Sequence, residues 1–216
     1  TGEGGNSLSL GSTVTMKPSS NVSVTLGPNY NTSLMRAQYV RAIDDPTADL
    51  FYDKRYVFSD VDQTTLSMST RLDVTFTPTM SLQLYAQPFI SSNKFSNFKE
   101  YARPRDSEKL VYGRDVGIME EQLTNNSRSY LIDPDGAGPA ASFTIDDPNF
   151  TLRSLRGNAV FRWEYTPGST LFLVWTQDRA SQESIGEFDF NRDRRALFDG
   201  PAHHVFLIKV NYWLPL

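Results

Sequence analysis

Residues 155–177 read LRGNAVFRWEYTPGSTLFLVWTQ. Along the first arm Leu155, Ala159, Phe161, Trp163 and Tyr165 fall on one face of a period-two strand, and Arg156, Asn158, Arg162 and Glu164 on the other. One face is apolar and the other charged. The arms meet through Thr166-Pro167-Gly168-Ser169, in which proline presets a negative φ and glycine supplies a permissive backbone. The stretch therefore predicts a β-hairpin. Trp163 and Tyr165 stand just before its turn on the apolar face, the place of girdle aromatics on a strand that crosses a bilayer.

Two other turns align with this one. Each opens on a proline, at 18, 78 and 167. Met16 and Val14, Phe76 and Val74, and Tyr165 and Trp163 precede it by two and four residues. Val22, Val24 and Leu26, then Leu82, Leu84 and Ala86, then Leu171, Leu173 and Trp175 follow it at four, six and eight. This is an internal repeat of hairpins. Pro28 and Pro88 lie ten residues past the first two turns, where ladder pairing thins, at about the 9 to 11 residues that a tilted strand needs to cross hydrocarbon.

Further strands are predicted over Ser7–Lys17, Val22 to about Val40, and Tyr56–Thr77 with Leu66, Met68, Leu72, Val74 and Phe76 on one face. A fourth begins at Ser81, and the last runs from His204 to Leu216 with Phe206, Ile208, Val210 and Tyr212 alternating. Long polar loops are expected at about 41–55, 103–150 and 178–202, opposite the tight turns. Short turns on one side and long loops on the other are how bacterial outer-membrane barrels are built.

The fold class expected is all-β: an antiparallel up-and-down transmembrane β-barrel, residues 1–216 forming a single barrel region. Seven strands are legible. With the last ending in the periplasm, parity puts Thr1 at an extracellular loop. The chain then reads as the C-terminal part of a larger barrel, or an eighth strand lies within 108–147. The absence of an initiating Met suggests a processed chain or a fragment.

Composition bounds the alternatives. The 216 residues carry 21 basic and 25 acidic side chains, a net charge of −4 that disfavours nucleic acid as a partner. A mean hydropathy of −0.41 and the lack of a long apolar run exclude a transmembrane helix but not a barrel, whose strands are only half apolar. No cysteine is present, so disulfides and thiolate metal sites are excluded.

Four stretches, Tyr56–Leu66, Ser81–Phe89, the hairpin, and Val205–Trp213, resemble the C-terminal region of bacterial proteins of unknown function in which a family-9-like carbohydrate-binding module precedes an outer-membrane β-barrel. The resemblance covers most of the chain but not that module. It implies a barrel, an outer-membrane location, and as partners the lipid bilayer, the barrel-assembly machinery and other envelope or surface proteins. It carries no catalytic residues. The last strand is similar to the C-terminal assembly signal of such barrels, which usually ends in an aromatic residue rather than Pro215-Leu216.

On the expected lumen side Arg71, Asp73, Arg156, Arg162, Glu164 and Lys209 supply both signs of charge, as a solute-selecting pore or as salt bridges filling a closed interior. The membrane-facing girdle is expected at Phe76, Trp163, Tyr165 and Tyr212. No catalytic, cofactor or metal site is read. His203 and His204 are neighbours on a strand and point to opposite faces. Asp133-Pro134-Asp135-Gly136, with Asp146 and Asp147 following, offers oxygen ligands for calcium, but the spacing fits no complete calcium loop and an ordinary turn pair is the simpler reading. Phe51, Tyr52, Phe95, Phe98, Tyr101, Phe188 and Phe190 are candidates for stacking on sugars or for packing within the loops.

The function expected is a non-catalytic outer-membrane barrel segment acting as a pore or as the anchor of a surface assembly. The alternatives are a soluble β-sandwich carbohydrate-binding module and, third, an enzyme with its site in 103–150. Alternation alone does not separate barrel from sandwich, since a sandwich strand also has one wet face.

Overall fold

The computed structural model describes residues 4–214. In chain order the strands are β1 (Asn6–Gly11), β2 (Val14–Ser19), β3 (Val22–Asp44), β4 (Lys54–Thr77), β5 (Met80–Tyr101), β6 (Lys109–Val111), β7 (Ile118–Thr124), β8 (Ser127–Asp133), β9 (Phe143–Asp146), β10 (Phe150–Thr166), β11 (Ser169–Glu183) and β12 (Ala202–Asn211). One helix, α1 (Phe190–Asp199), precedes β12. The chain is all-β, and every ladder between these strands is antiparallel.

The main sheet follows the chain across seven positions: β1 and β2 together, then β3, β4, β5, β10, β11 and β12. β1 and β2 succeed one another along β3 and form one interrupted edge. Its register slips between Met16 and Ser19, around Pro18, which has no N–H to give the ladder. Among the described residues no ladder joins β12 to β1 or β2, so the sheet is open. Thr1, Pro215 and Leu216, on which the terminal expectations rested, lie outside the described residues.

Three tight turns, at 20–21, 78–79 and 167–168, close one end of the sheet. Gly168 holds φ +79°, and a Cβ there would come within 3.0 Å of the Trp213 Cβ, so the turn needs glycine both for its backbone and for its close cover. At the other end lie connections 45–53, 102–149 and 184–201. The strands run further toward that end than alternation predicts. β5 continues to Tyr101 through Ser91, Ser92 and Asn93, where the apolar signal vanishes because side chains hydrogen-bond across strands: the Gln63 amide donates to Asn93 at 2.9 Å.

Residues 103–150 are not the aperiodic loop expected. They add β6 to the edge of β5 and fold β7, β8 and β9 into a separate three-stranded sheet. No full-length eighth strand lies there, since β10 pairs directly with β5. The small sheet has its own core, in which Ile132 and Ile145 pack with Val57, Phe98 and Tyr112. Val57, Ser59 and Val61 alternate from Gln63 along the regular β4, so this core covers the face that carries Gln63. Buried ion pairs fix the same end: Arg55 pairs with Glu100 and, at 2.8 Å, with Asp45, and Lys99 pairs with Asp60. Tyr112 donates to Glu100 at 2.8 Å, and burial, with that carboxylate beside it, pushes its hydroxyl above the usual tyrosine range.

The third connection holds α1. Asp189 caps its N-terminus by accepting from the Arg192 N–H at 2.8 Å, and Gly200-Pro201 ends it.

Candidate functional site

Cross-strand partners share a face, so the register sorts the main sheet into two surfaces. One rung reads Val22, Val74, Leu82, Phe161, Leu173 and Ile208. The next reads Val24, Leu72, Leu84, Ala159, Trp175 and Phe206. Toward the turns, Met80, Trp163, Leu171 and Val210 form another. Among the described residues no second layer lies over Leu72, Phe161 or Trp163, and on β12 Phe206 and Ile208 keep 76% and 71% of their surface exposed.

This apolar band has an end. Toward the long connections it passes Leu26, Ala86 and Gly157, reaches Tyr30, Leu66 and Ile90, and then gives way to Thr32, Thr64, Ser92 and Thr151. On β4 the band spans Leu66 to Phe76; beyond Leu66 the same face is polar. Sequence alternation does not reveal that boundary, because each strand reaches it at a different residue number.

The opposite face is the charged one. Arg71, Asp73, Arg156, Arg162, Glu164 and Lys209 all lie on it, with Thr25, Gln83, Asn158 and Thr176 between them. The charges pair mainly within strands: Arg71 donates to Asp73 at 3.0 Å and Arg162 to Glu164 at 3.2 Å. Arg156 lies 3.5 Å from Asp178 across the hairpin, and the Lys209 ammonium sits 6.0 Å from the Phe172 ring centre. These are wetted pairs of both signs, worth little for stability but setting the chemistry of the surface.

Phe76, Trp163, Tyr165 and Tyr212 gather at the tight-turn end. The Trp163 and Tyr165 rings meet edge-on at 6.1 Å, and the Tyr165 hydroxyl donates to the Asn211 carbonyl at 3.2 Å. Phe76 and Tyr212 are exposed.

Two charged residues break the apolar face, and sequence reading missed both: Arg179, opposite Leu155, donates to the Phe198 and Gly200 carbonyls at the end of α1, and Arg153 lies one rung further out. Arg153 shares a rung with Ile90 and Leu66, yet its side chain is fully buried. α1 lies over it: Arg153 Nη2 donates to Asp193 at 2.7 Å and to Glu183 at 2.7 Å, while Nε donates to Asp193 at 3.1 Å. Asp193 also accepts from the Arg192 side chain at 2.9 Å and the Asp189 N–H at 2.9 Å. Burial pushes the Asp193 carboxyl up, but these donors outweigh it and hold it below the ordinary aspartate range. The signal was available in an Asp cap at 189 and apolar residues at 190, 197 and 198, on one side of a helix.

The remaining candidates are placed as follows. His204 pairs with Gln177 on the apolar face and accepts from the Trp175 indole at 3.1 Å, whereas His203 pairs with Asp178 on the charged face. Asp133 accepts backbone N–H groups of Asp135 and Gly136, and Asp135 accepts that of Ala140. Among the described residues no three potential metal ligands converge. Of the loop aromatics, Phe98 is buried against Tyr130, Phe95 lies by Phe150, Phe51 by Tyr56, and Tyr52 is exposed.

Comparison with known proteins adds one observation. Residues 120–216 match the model of a domain of unknown function (DUF5916). The matched region starts within β7 and takes in β8, β9, the β10–β11 hairpin, α1 and β12. It therefore includes both Arg153 and Asp193. No curated protein and no solved structure matches the chain.

Proposed function

We propose that this chain is a wall segment of an outer-membrane β-barrel whose apolar band faces lipid and whose charged face lines the interior, serving as a pore or as the membrane anchor of a surface assembly without catalysis. The observation that carries this reading is the bounded band. From Leu66 to Phe76 there are ten residue steps; at about 3.3 Å each and a tilt of about 40°, they cover about 25 Å, the height of the apolar belt of such barrels. Four aromatic residues stand at its turn-side rim, and α1 lies at the other.

The two free edges fit the same reading. Strand edges do not persist in hydrocarbon, where no water serves their N–H and C=O groups. Seven antiparallel positions leave β12 running parallel to the β1–β2 edge, so closing the meander takes an odd number of further strands. The small sheet β7–β9 then sits on the lumen face at the outer end, where it narrows the opening. The resemblance to barrel regions that follow a carbohydrate-binding module agrees with an anchor for surface display.

Fractionation tests the reading. The protein should sediment with outer membranes, resist carbonate extraction, and migrate differently on gels before and after boiling. Recovery in the soluble fraction with no heat-dependent migration would favour the β-sandwich alternative.

A further inference from the structure

Between α1 and the apolar face of the sheet lies a cleft of about 380 Å³, within the size range of small-ligand pockets. Leu66, Met68 and Ile90 form its sheet wall, and Phe190, Leu197 and Phe198 its helix wall. Its mouth carries Arg194, whose guanidinium sits over the Phe190 ring at 5.8 Å. Neither Arg194 nor the adjacent Arg195 has an ion-pair partner among the described residues, although Arg192 in the same helix is fully engaged with Asp193. Phe190 and Phe198 are exposed, on the side of the helix that continues the apolar band.

We propose that this cleft binds one acyl chain of an anionic membrane phospholipid, with the headgroup phosphate held by Arg194. Three features on the molecule select that occupant. The walls are apolar and continuous with the band, which suits hydrocarbon. The cleft lies at the rung where the band gives way to Thr32, Thr64 and Ser92, the depth at which acyl chains meet headgroups in the membrane reading on which this inference rests. The free guanidinium at the mouth matches a phosphate, to which arginine offers a planar fork of donors. A helix with aromatics toward the sheet's apolar margin and unpaired arginines toward solvent is the pattern of an interfacial helix.

Native mass spectrometry of the full chain folded in nonionic detergent and titrated with dioleoylphosphatidylglycerol tests it. One phosphatidylglycerol should be retained per chain, dioleoylphosphatidylcholine about tenfold more weakly, and Arg194→Ala should lower phosphatidylglycerol retention about tenfold. Met68→Trp, which fills the cleft and leaves the arginines in place, should lower retention of both lipids. Neither inorganic phosphate nor oleate should displace the phospholipid. Equal retention of the two phospholipids, indifference to Arg194→Ala, or displacement by phosphate alone would overturn the proposal. Heat-modifiable migration of each variant reports folding. Quenching of Trp163 by brominated phosphatidylcholine in vesicles reports the membrane reading independently: quenching without selective retention defeats only the cleft, and retention without quenching defeats only the membrane assignment.

Discussion

The Arg153 guanidinium and the Asp193 carboxylate meet at 2.7 Å, both fully buried, and through that bond helix α1 is fastened to the charged position of a rung that carries Tyr30, Leu66 and Ile90 beside it. A cation on that surface without cover is costly in any setting, and the helix supplies a neutralising partner. Removing Asp193 alone leaves the buried Arg153 with only the half-exposed Glu183 as a carboxylate partner, at a cost of up to about 3–5 kcal/mol, whereas replacing Arg153 and Asp193 together with apolar residues is closer to neutral. Asp193→Ala should expose residues 184–201 to limited proteolysis, and Arg153→Met with Asp193→Leu should restore resistance.

Acid should release the same helix. Asp193 is held below its ordinary value near 3.8, so its contribution is fully present above that pH and fades as pH falls below it toward the depressed folded value. Amide exchange in 190–199 should stay slow from neutral pH down to about 4 and, after correction for intrinsic rates, rise below it. Unchanged protection at pH 3 would show that the ion pair does not hold the helix.

The tight turn between β10 and β11 should tolerate little. Gly168→Ala places a Cβ at positive φ and 3.0 Å from the Trp213 Cβ, so folding stability should fall by about 1 kcal/mol or more in urea titration. Thr79→Ala, in the β4–β5 turn, serves as the control with a small effect.

How far the chain could be read in advance followed from how each surface is used. The seven strand positions were legible because Val14, Val22, Val74, Leu82, Phe161, Leu173 and Ile208 each sit in an alternating run with one greasy face. The six charges from Arg71 to Lys209 share a face for the same reason, since a period of two fixes sidedness without any contact. β7, β8 and β9 escaped because β7 buries no residue fully and β8 and β9 bury one each, Ile132 and Ile145, too few for a period to register. The outer half of β5 escaped because Ser92, Asn93 and Lys99 are satisfied by hydrogen bonds and ion pairs, which leave no hydrophobic signature. α1 was hidden by three arginines among its ten residues; only its cap and its two phenylalanines marked it.

Charge insertion should separate the two faces. Leu72→Arg places a cation in mid-band and should cost about 2–4 kcal/mol of folding free energy in vesicles, whereas Gln83→Arg on the charged face should cost less than about 1. Equal costs would mean that both faces meet the same medium.

Neighbouring residues on β10 provide the most direct test of the central claim. Phe161 and Val160 lie one position apart and point to opposite faces. In a background with Trp163, Trp175 and Trp213 replaced by Phe, Phe161→Trp and Val160→Trp are each folded into vesicles of brominated phosphatidylcholine and their fluorescence compared with unbrominated vesicles. The account predicts strong quenching for Phe161→Trp and little for Val160→Trp; no quenching of Phe161→Trp, or the reverse order, would contradict it.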